Sequence, residues 1–231
     1  MTDVHSLDRV VIRFAGDSGD GMQLTGDRFT SDTATLGNDF ATLPNFPAEI
    51  RAPQGTIAGV SSFQLHFSQG DVKTPGDQPD VLVAMNPASL KANIGDLKRG
   101  GLIVADRNEF NRRNLAKVGY AADPLSDGSL DAYQLHAIDL TAMTVAAVAP
   151  FGLGRKDASR AKNMFALGLL TWLYTRPAEH TLEFLDSKFA KRPEIRDSNK
   201  AAFLAGHAFG ETTETFAVRF EVGAAVVPPG E

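Results

Sequence analysis

The segment Arg9-Val10-Val11-Ile12-Arg13-Phe14 runs straight into Gly16-Asp17-Ser18-Gly19-Asp20-Gly21, and then into a helical stretch from Met22 to about Leu36. The first piece is dominated by β-branched residues and reads as a buried strand. Gly37-Asn38 supplies residues that tolerate the left-handed conformation in which helices stop. Strand, glycine-rich turn and helix at the start of a chain is the opening of a doubly wound α/β domain.

The rest of the chain agrees. Val81-Leu82-Val83-Ala84-Met85 is continuously apolar and predicts a central strand covered on both faces. Asn86-Pro87 follows as helix cap and first helical residue. Leu90, Ile94 and Leu97 share one helical stripe, and Gly100-Gly101 ends it. Leu102 to Ala105 and Tyr133 to Leu140 predict two more strands. Ser61 to Phe67 alternates, with Phe63, Leu65 and Phe67 on one face, and reads as a strand. Phe40 to Pro53 holds three prolines and little periodicity, so it predicts a long loop with short extended pieces. Past Ala158 the pattern is helical. Met164, Phe165, Gly168, Leu169, Trp172 and Leu173 form a stripe closed by Arg176-Pro177, and Thr181–Phe189 and Glu194–Gly210 predict two further helices. Val226-Val227-Pro228-Pro229-Gly230 has linker composition. The expected fold is therefore α/β: a Rossmann-like doubly wound, mostly parallel sheet with helices on both faces and a helical C-terminal part. It is expected over residues 1–215, with a tail or linker over 216–231.

Composition narrows the functions available. The chain has 231 residues, 43% hydrophobic, which suffices for a core, and 22% charged. Its net charge is −5 with no block of like charge, which argues against a nucleic-acid surface. It has no cysteine, so it can supply neither disulfides nor thiolate ligands for an iron–sulfur cluster or zinc. That is compatible with a reducing cytoplasm. Met1 to Asp8 is polar and acidic, unlike a signal peptide, and no apolar run is long enough to span a bilayer.

The glycine turn carries the most chemistry. A helix opening after such a turn directs backbone N–H groups and a helix dipole at whatever sits before it. The spacing Gly16-x-x-Gly19-x-Gly21 differs from the dinucleotide fingerprint, and Asp17 and Asp20 would repel a phosphate placed against them. The alternative is that Asp20 is only a helix cap, with Gln23 completing a capping box. Asn86 and Asp106 follow central strands, where ligands of open α/β sheets bind, or they serve as a cap and a turn. Lys156, Arg160 and Asn163 are spaced to share a helix face that could hold phosphates or simply meet solvent. Glu49 and Arg51 flank Ile50, and could pair, cap or sit at an interface. Leu43, Phe46 and Ile50 put apolar side chains in the proline-rich loop, where exposure would mark an interface. The five histidines are scattered without metal-ligand spacing. No nucleophilic triad assembles, so no catalytic residue and no metal site is expected in this chain.

These residues also resemble a family. Arg13-Phe14-Ala15-Gly16-Asp17-Ser18-Gly19-Asp20-Gly21-Met22 resembles the opening of the large subunit of 2-oxoglutarate:ferredoxin oxidoreductases, whose N-terminal part is a fused gamma domain. Leu43-Pro44-Asn45-Phe46-Pro47-Ala48-Glu49-Ile50-Arg51, Val81 to Lys91, and Lys162-Asn163-Met164-Phe165-Ala166-Leu167-Gly168 are similar to the 2-oxoacid:ferredoxin oxidoreductase family too, in the expected order. The resemblance implies oxidative decarboxylation of a 2-oxoacid to an acyl-CoA, with electrons passed to ferredoxin. It implies thiamine diphosphate, magnesium and [4Fe-4S] clusters held by other domains or subunits, none of them bound by this chain alone, and an oligomeric enzyme. For this chain it implies help in positioning coenzyme A. Carried over by position, Asp20, Gly21 and Asn163 are the expected contacts, with Gly19, Met22 and Arg51 beside them. The competing reading on the same fold is a free-standing nucleotide-binding or regulatory module, which retention by a thiamine-enzyme partner would separate from the first.

Overall fold

A computed structural model describes residues 3–49 and 52–226. In chain order these form β1 (Asp3–Leu7), β2 (Arg9–Asp17), α1 (Met22–Thr35), β3 (Asp39–Asn45), β4 (Val60–Ser68), β5 (Val81–Ala84), α2 (Pro87–Asn93), β6 (Leu102–Asp106), α3 (Arg112–Lys117) and β7 (Gln134–Ile138). Then follow α4 (Leu140–Val148), α5 (Arg155–Arg160), α6 (Lys162–Leu173), α7 (Glu179–Lys188), α8 (Pro193–Thr212) and β8 (Val218–Val222).

The main sheet has the order β3-β4-β2-β5-β6-β7. β2, β5, β6 and β7 run parallel, and β4 is antiparallel to both β2 and β3. The expected α/β architecture is thus present as a mixed, mostly parallel sheet. Successive residues of β5 enter different cores, as a strand covered on both faces requires. Val81 and Val83 join Phe14, Phe29 and Phe165 beneath α1, α4, α6 and α8. Leu82 and Ala84 join Leu90, Ile103 and Leu115 beneath α2 and α3.

Two expectations from the sequence need correcting, and the strand read from Ser61 to Phe67 is present as β4. Phe40 to Pro53 is not a loop at its start, because β3 occupies Asp39–Asn45 and pairs with β4. Pro44 hid it, yet β3 lies at the sheet edge, where a missing N–H costs nothing. The alternation in β4 is real, but both faces are covered. Gln64 Nε2 donates to the carbonyls of Pro75 and Gly76, and His66 Nδ1 lies 2.7 Å from Thr74 O, so a polar loop seals the second face. The segment from Phe216 is not all tail. β8 pairs with β1 in a separate parallel ribbon, Asp3 opposite Val218 and Leu7 opposite Val222. Residues 227–231, with the proline pair, lie outside the described residues.

α6 is the centre of the helical half. Every residue from Lys162 to Leu173 is buried, so the expected single stripe is a helix enclosed all round. It lies against α8 with backbones in near contact. A Cβ on Gly168 would lie 2.8 Å from the carbonyl carbon of Phe203, and one on Gly206 would lie 2.8 Å from that of Phe165. After α6 the chain turns through Thr175 at φ 52°, whose hydroxyl donates to Phe220 O on β8 at 2.9 Å. Arg176 is then buried, not merely a stop signal. Its Nη1 donates to Asn38 Oδ1 at 2.6 Å, and Asn38 Nδ2 donates onward to the carbonyls of Val222 and Gly223.

A buried acid lies between α1 and α7. Asp32 is 1% exposed and accepts from the Thr181 hydroxyl at 2.9 Å. Burial pushes its carboxyl up to about 6, against the pull of that bond and of Arg28, His180 and Arg176. The native state therefore keeps a proton that the unfolded chain releases from about pH 4. Its contribution is fully present below that pH and is lost as pH rises through 6. Asp32→Asn keeps the Thr181 bond and removes the charge, so it should stabilise the protein by about 2 kcal/mol at pH 7.5 and by far less at pH 4. Urea melts at the two pH values measure the difference, and equal gains at both would show that Asp32 does not titrate in this window.

Candidate functional site

β2 extends three residues beyond the predicted strand, so Asp17 ends it and the turn is short. Asp20 N–H donates to Asp17 O at 2.9 Å, and Asp20 Oδ2 accepts from Asp17 N–H at 3.0 Å. The Asp20 carboxylate is thereby folded back onto its own turn. The capping box expected from Asp20 and Gln23 is absent. Gly21 is the cap residue, at φ 73°, and no side chain caps α1. Gln23 instead donates to Asn45 O, Ser61 Oγ and Ser62 O, fastening α1 to β3 and β4.

Two cavities open from this turn at the carboxyl ends of the parallel strands, where ligands of such sheets bind. One, of about 280 Å³, is lined by Gly19, Gly21, Asn163, Arg160, Arg192 and Asn199 among others. The other, of about 240 Å³, lies among Asp17, Gly55, Asn86, Glu109, Lys117 and Lys162. Asp20 lines both. A larger cleft of about 680 Å³, with Tyr174, His136 and Phe216 in its wall, lies at the opposite, amino ends of β5 and β6. The strand-end rule favours the two polar cavities for the chemistry.

Asn163 forms the wall of the first cavity. Its Oδ1 accepts from the N–H of Met164 at 2.9 Å, which turns Nδ2 toward Gly21. A Cβ on Gly21 would lie 3.4 Å from Asn163 Cγ and much nearer to Nδ2, so only glycine fits beside this amide. Gly19 lines the same cavity, but a Cβ there would meet nothing within 4 Å.

The second cavity is dominated by charge. Lys162, with its side chain 8% exposed, places Nζ 4.0 Å from Asp20 Oδ1, 3.7 Å from Asp106 Oδ2 and 3.6 Å from Glu109 Oε1. Burial pulls its ammonium down, but the acids outweigh it, and the net effect lifts it above the ordinary lysine range. Burial raises the carboxyls of Asp20 and Asp106, with Lys162 the largest opposing influence on each. Asp17 is raised by burial and by Asp20. Its Oδ2 accepts from Gly55 N–H at 2.9 Å, while Oδ1 is buried without a hydrogen bond. The side chain of Asn86 lies near enough to favour the charged form without completing that bond.

Of the residues singled out in the sequence, Gly19, Asp20, Gly21 and Asn163 come together around one cavity. Met22 does not join them, because its side chain is 1% exposed and packs in the main core. Arg51 lies outside the described residues. The face proposed for Lys156, Arg160 and Asn163 does not form. Ala161 separates α5 from α6, Arg160 pairs with Asp157 at 3.2 Å, and only Arg160 and Asn163 reach the cavity. Asn86 is a helix cap, in a reciprocal box with Ser89. Asp106 is not a surface turn but fully buried, accepting from the N–H and hydroxyl of Thr141. Lys162 was missed; its one sequence signal is a lone charge at the head of the apolar run Met164–Leu173. Among the described residues no three or more His, Asp or Glu are arranged to hold a metal ion, and no helix is long and apolar enough to cross a membrane.

The family description pyruvate ferredoxin/flavodoxin oxidoreductase matches residues 11–209. The chain is 58% identical over 229 residues to the 2-oxoglutarate oxidoreductase subunit KorA of Mycobacterium tuberculosis, covering 99% of this chain and 35% of that subunit. It is 31% identical over 117 residues to the ketoisovalerate oxidoreductase subunit VorA of Methanothermobacter marburgensis, covering 49% of this chain and 23% of that one. It thus spans about a third or less of the length of these curated relatives. Among solved structures, it shares its fold with the 2-oxoglutarate:ferredoxin oxidoreductase of Magnetococcus marinus, determined with 2-oxoglutarate, coenzyme A and succinyl-CoA bound. The TM-score there is 0.71 at 24% identity, over 95% of this chain and 34% of that one. It also shares the fold of the keto/oxoacid ferredoxin oxidoreductase gamma subunit of Geobacter sulfurreducens, with a TM-score of 0.59 at 20% identity, over 88% of this chain and 99% of that one.

Proposed function

This chain belongs to the pyruvate ferredoxin/flavodoxin oxidoreductase family, and from that premise we propose that it is the gamma-type domain of a 2-oxoglutarate:ferredoxin oxidoreductase, whose part is to hold coenzyme A. The observation that carries this reading is the Gly21–Asn163 wall of the 280 Å³ cavity. Its inner surface offers an amide and glycine backbone, which suit the amide-rich pantetheine arm. Arg160 and Arg192, also in its lining, suit the phosphates. Two of the residues chosen from the sequence for this role, Gly21 and Asn163, meet there although 142 positions separate them. The M. marinus enzyme binds coenzyme A and succinyl-CoA, and KorA is a 2-oxoglutarate oxidoreductase subunit. Both support the choice of ligand and oxoacid.

The division of labour follows from what the chain carries. It has no cysteine, so [4Fe-4S] clusters do not fit its donor set and belong to partner domains or subunits. Thiamine diphosphate with magnesium, when bound by such a partner, supplies the decarboxylation chemistry. This chain binds and orients. Holding the thiol arm of coenzyme A in place turns a bimolecular encounter into a local one. Partner domains would meet the exposed side chains of Leu43 and Phe46, and Val227-Pro228-Pro229-Gly230 has the composition of a linker toward a thiamine-associated domain. Ferredoxin would take the electrons from the assembled, oligomeric enzyme in the cytoplasm.

Asn163→Ala tests the reading in the complete enzyme. Alanine keeps helix propensity, so α6 should stay formed. The loss of a neutral hydrogen bond, about 1 kcal/mol, should raise the Michaelis constant for coenzyme A several-fold. Reduction of the enzyme by 2-oxoglutarate without coenzyme A should be unchanged. A slower first reduction with an ordinary coenzyme A dependence would remove the cavity from consideration.

A further inference from the structure

We infer that Lys162 is a positioning residue for the coenzyme A cavity: its ammonium ties the Gly19–Gly21 turn to the framework of the sheet, and so keeps the wall between Gly21 and Asn163 formed. The inference rests on the reading that this cavity takes coenzyme A. Three acids, Asp20 from the glycine turn and Asp106 and Glu109 from the end of β6 and the turn after it, face the ammonium at 3.6–4.0 Å, and two of them are fixed from behind. Asp106 accepts both the N–H and the hydroxyl of Thr141, which joins it to α4. Glu109 Oε2 accepts from Asn114 Nδ2 at 3.0 Å, which joins it to α3.

Asp20 is held differently. Its Oδ2 bonds only within the turn, to the N–H of Asp17, and its Oδ1 faces Lys162. The start of the turn has its own ties, Ser18 N–H to Gly59 O and Asp17 to Gly55 N–H. Among the described residues, the Gly19–Gly21 half is linked beyond the turn and α1 by the Gly21–Asn163 packing contact and by the charge on Lys162, and of these the charge is the ion pair. Each distance exceeds a hydrogen bond, so the ammonium is shared and not committed to one acid. Its side chain is 8% exposed, so bulk solvent screens the pairing little. Lys162 and Asn163 are adjacent in the first turn of α6, so one helix end both presents the amide and holds the turn the amide packs against.

The test uses the complete enzyme, with coenzyme A as the probe. Lys162→Met keeps length and removes charge. It should raise the Michaelis constant for coenzyme A about tenfold, the weight of one charge-assisted contact, while 2-oxoglutarate-driven reduction without coenzyme A keeps its rate. Lys162→Arg restores the charge and should return the constant to within about threefold of the original. Should Lys162→Met fail to fold, Lys162→Met with Asp106→Asn removes the most deeply stranded carboxylate and should give the same split. A normal coenzyme A constant in either folded charge-free variant overturns the inference, as does an arginine variant as impaired as methionine. So does failure of both charge-free variants to fold, since Lys162 would then be a structural residue. If Asn163→Ala raises the constant while the lysine variants do not, only this inference falls. If Asn163→Ala leaves it unchanged, the coenzyme A reading beneath it falls as well.

Discussion

Alanine at Gly168 should cost the fold about 3 kcal/mol, at or above the upper end of ordinary overpacking. The new methyl has no side chain to push aside, because what it meets is the Phe203 carbonyl on the facing helix. Relief requires moving α6 and α8 apart, and α6 is enclosed by α1, α4 and α8 together. Interiors are packed too closely to absorb such a shift locally. Gly206→Ala should cost a similar amount, since its Cβ would strike the Phe165 carbonyl across the same crossing. The double variant should cost clearly less than the sum, because one separation of the helices makes room for both methyls. Urea denaturation of the three proteins measures this. Full additivity, or a loss below about 1 kcal/mol for either single change, would mean that the helices are not in backbone contact.

Gly21→Ala should do more to the cavity than Asn163→Ala. Two costs coincide there. The residue has φ 73°, a conformation that charges an ordinary side chain about 1–2 kcal/mol. Its Cβ would also displace the Asn163 amide. The Michaelis constant for coenzyme A in the complete enzyme should rise by more than about tenfold, corresponding to at least 1.4 kcal/mol. Adding Asn163→Ala should then change little further, because the amide has already left its place. Gly19→Ala is the contrast, since its Cβ meets nothing and its φ is not positive; the fold should be as stable as before. If Gly21→Ala keeps the original coenzyme A constant, the glycine–amide contact does not shape the binding site.

How much of this was legible depended on how far each feature reaches along the chain. The β2–turn–α1 opening, the Asn86–Pro87 cap and the paired glycines before β6 follow from neighbouring residues, and they stand where the sequence put them. β3 was obscured by Pro44, which is harmless only because the strand lies at an edge, a fact of the assembled sheet. β8 was hidden because its partner is β1, at the other end of the chain. In the site, the convergence of Gly19, Asp20, Gly21 and Asn163 was anticipated through family resemblance. Lys162 was not, because its meaning lies in Asp20, Asp106 and Glu109, all more than 50 positions from it. The helix face drawn through Lys156, Arg160 and Asn163 failed for the opposite reason. It assumed one continuous helix, and the break at Ala161 rotates Asn163 inward.

The parallel ribbon of β1 and β8 bears on the order in which the molecule assembles. Asp3 pairs with Val218, so closing this contact joins residues 215 positions apart. During synthesis β1 emerges before its partner strand, which follows 215 positions later. Loop-closure entropy opposes contacts of such separation until the intervening chain is already compact, which makes the ribbon a late step. It is also a small unit, five residues a side and outside the main sheet, with β8 tied to the rest of the molecule by Thr175, Asn38 and Arg219. The cleft walled by Tyr174, Phe216 and Phe220 lies against this ribbon. The hydrogen bonds of the glycine turn do not involve the ribbon, so the cavity walled by Gly21 and Asn163 can be complete while β1 and β8 are still apart.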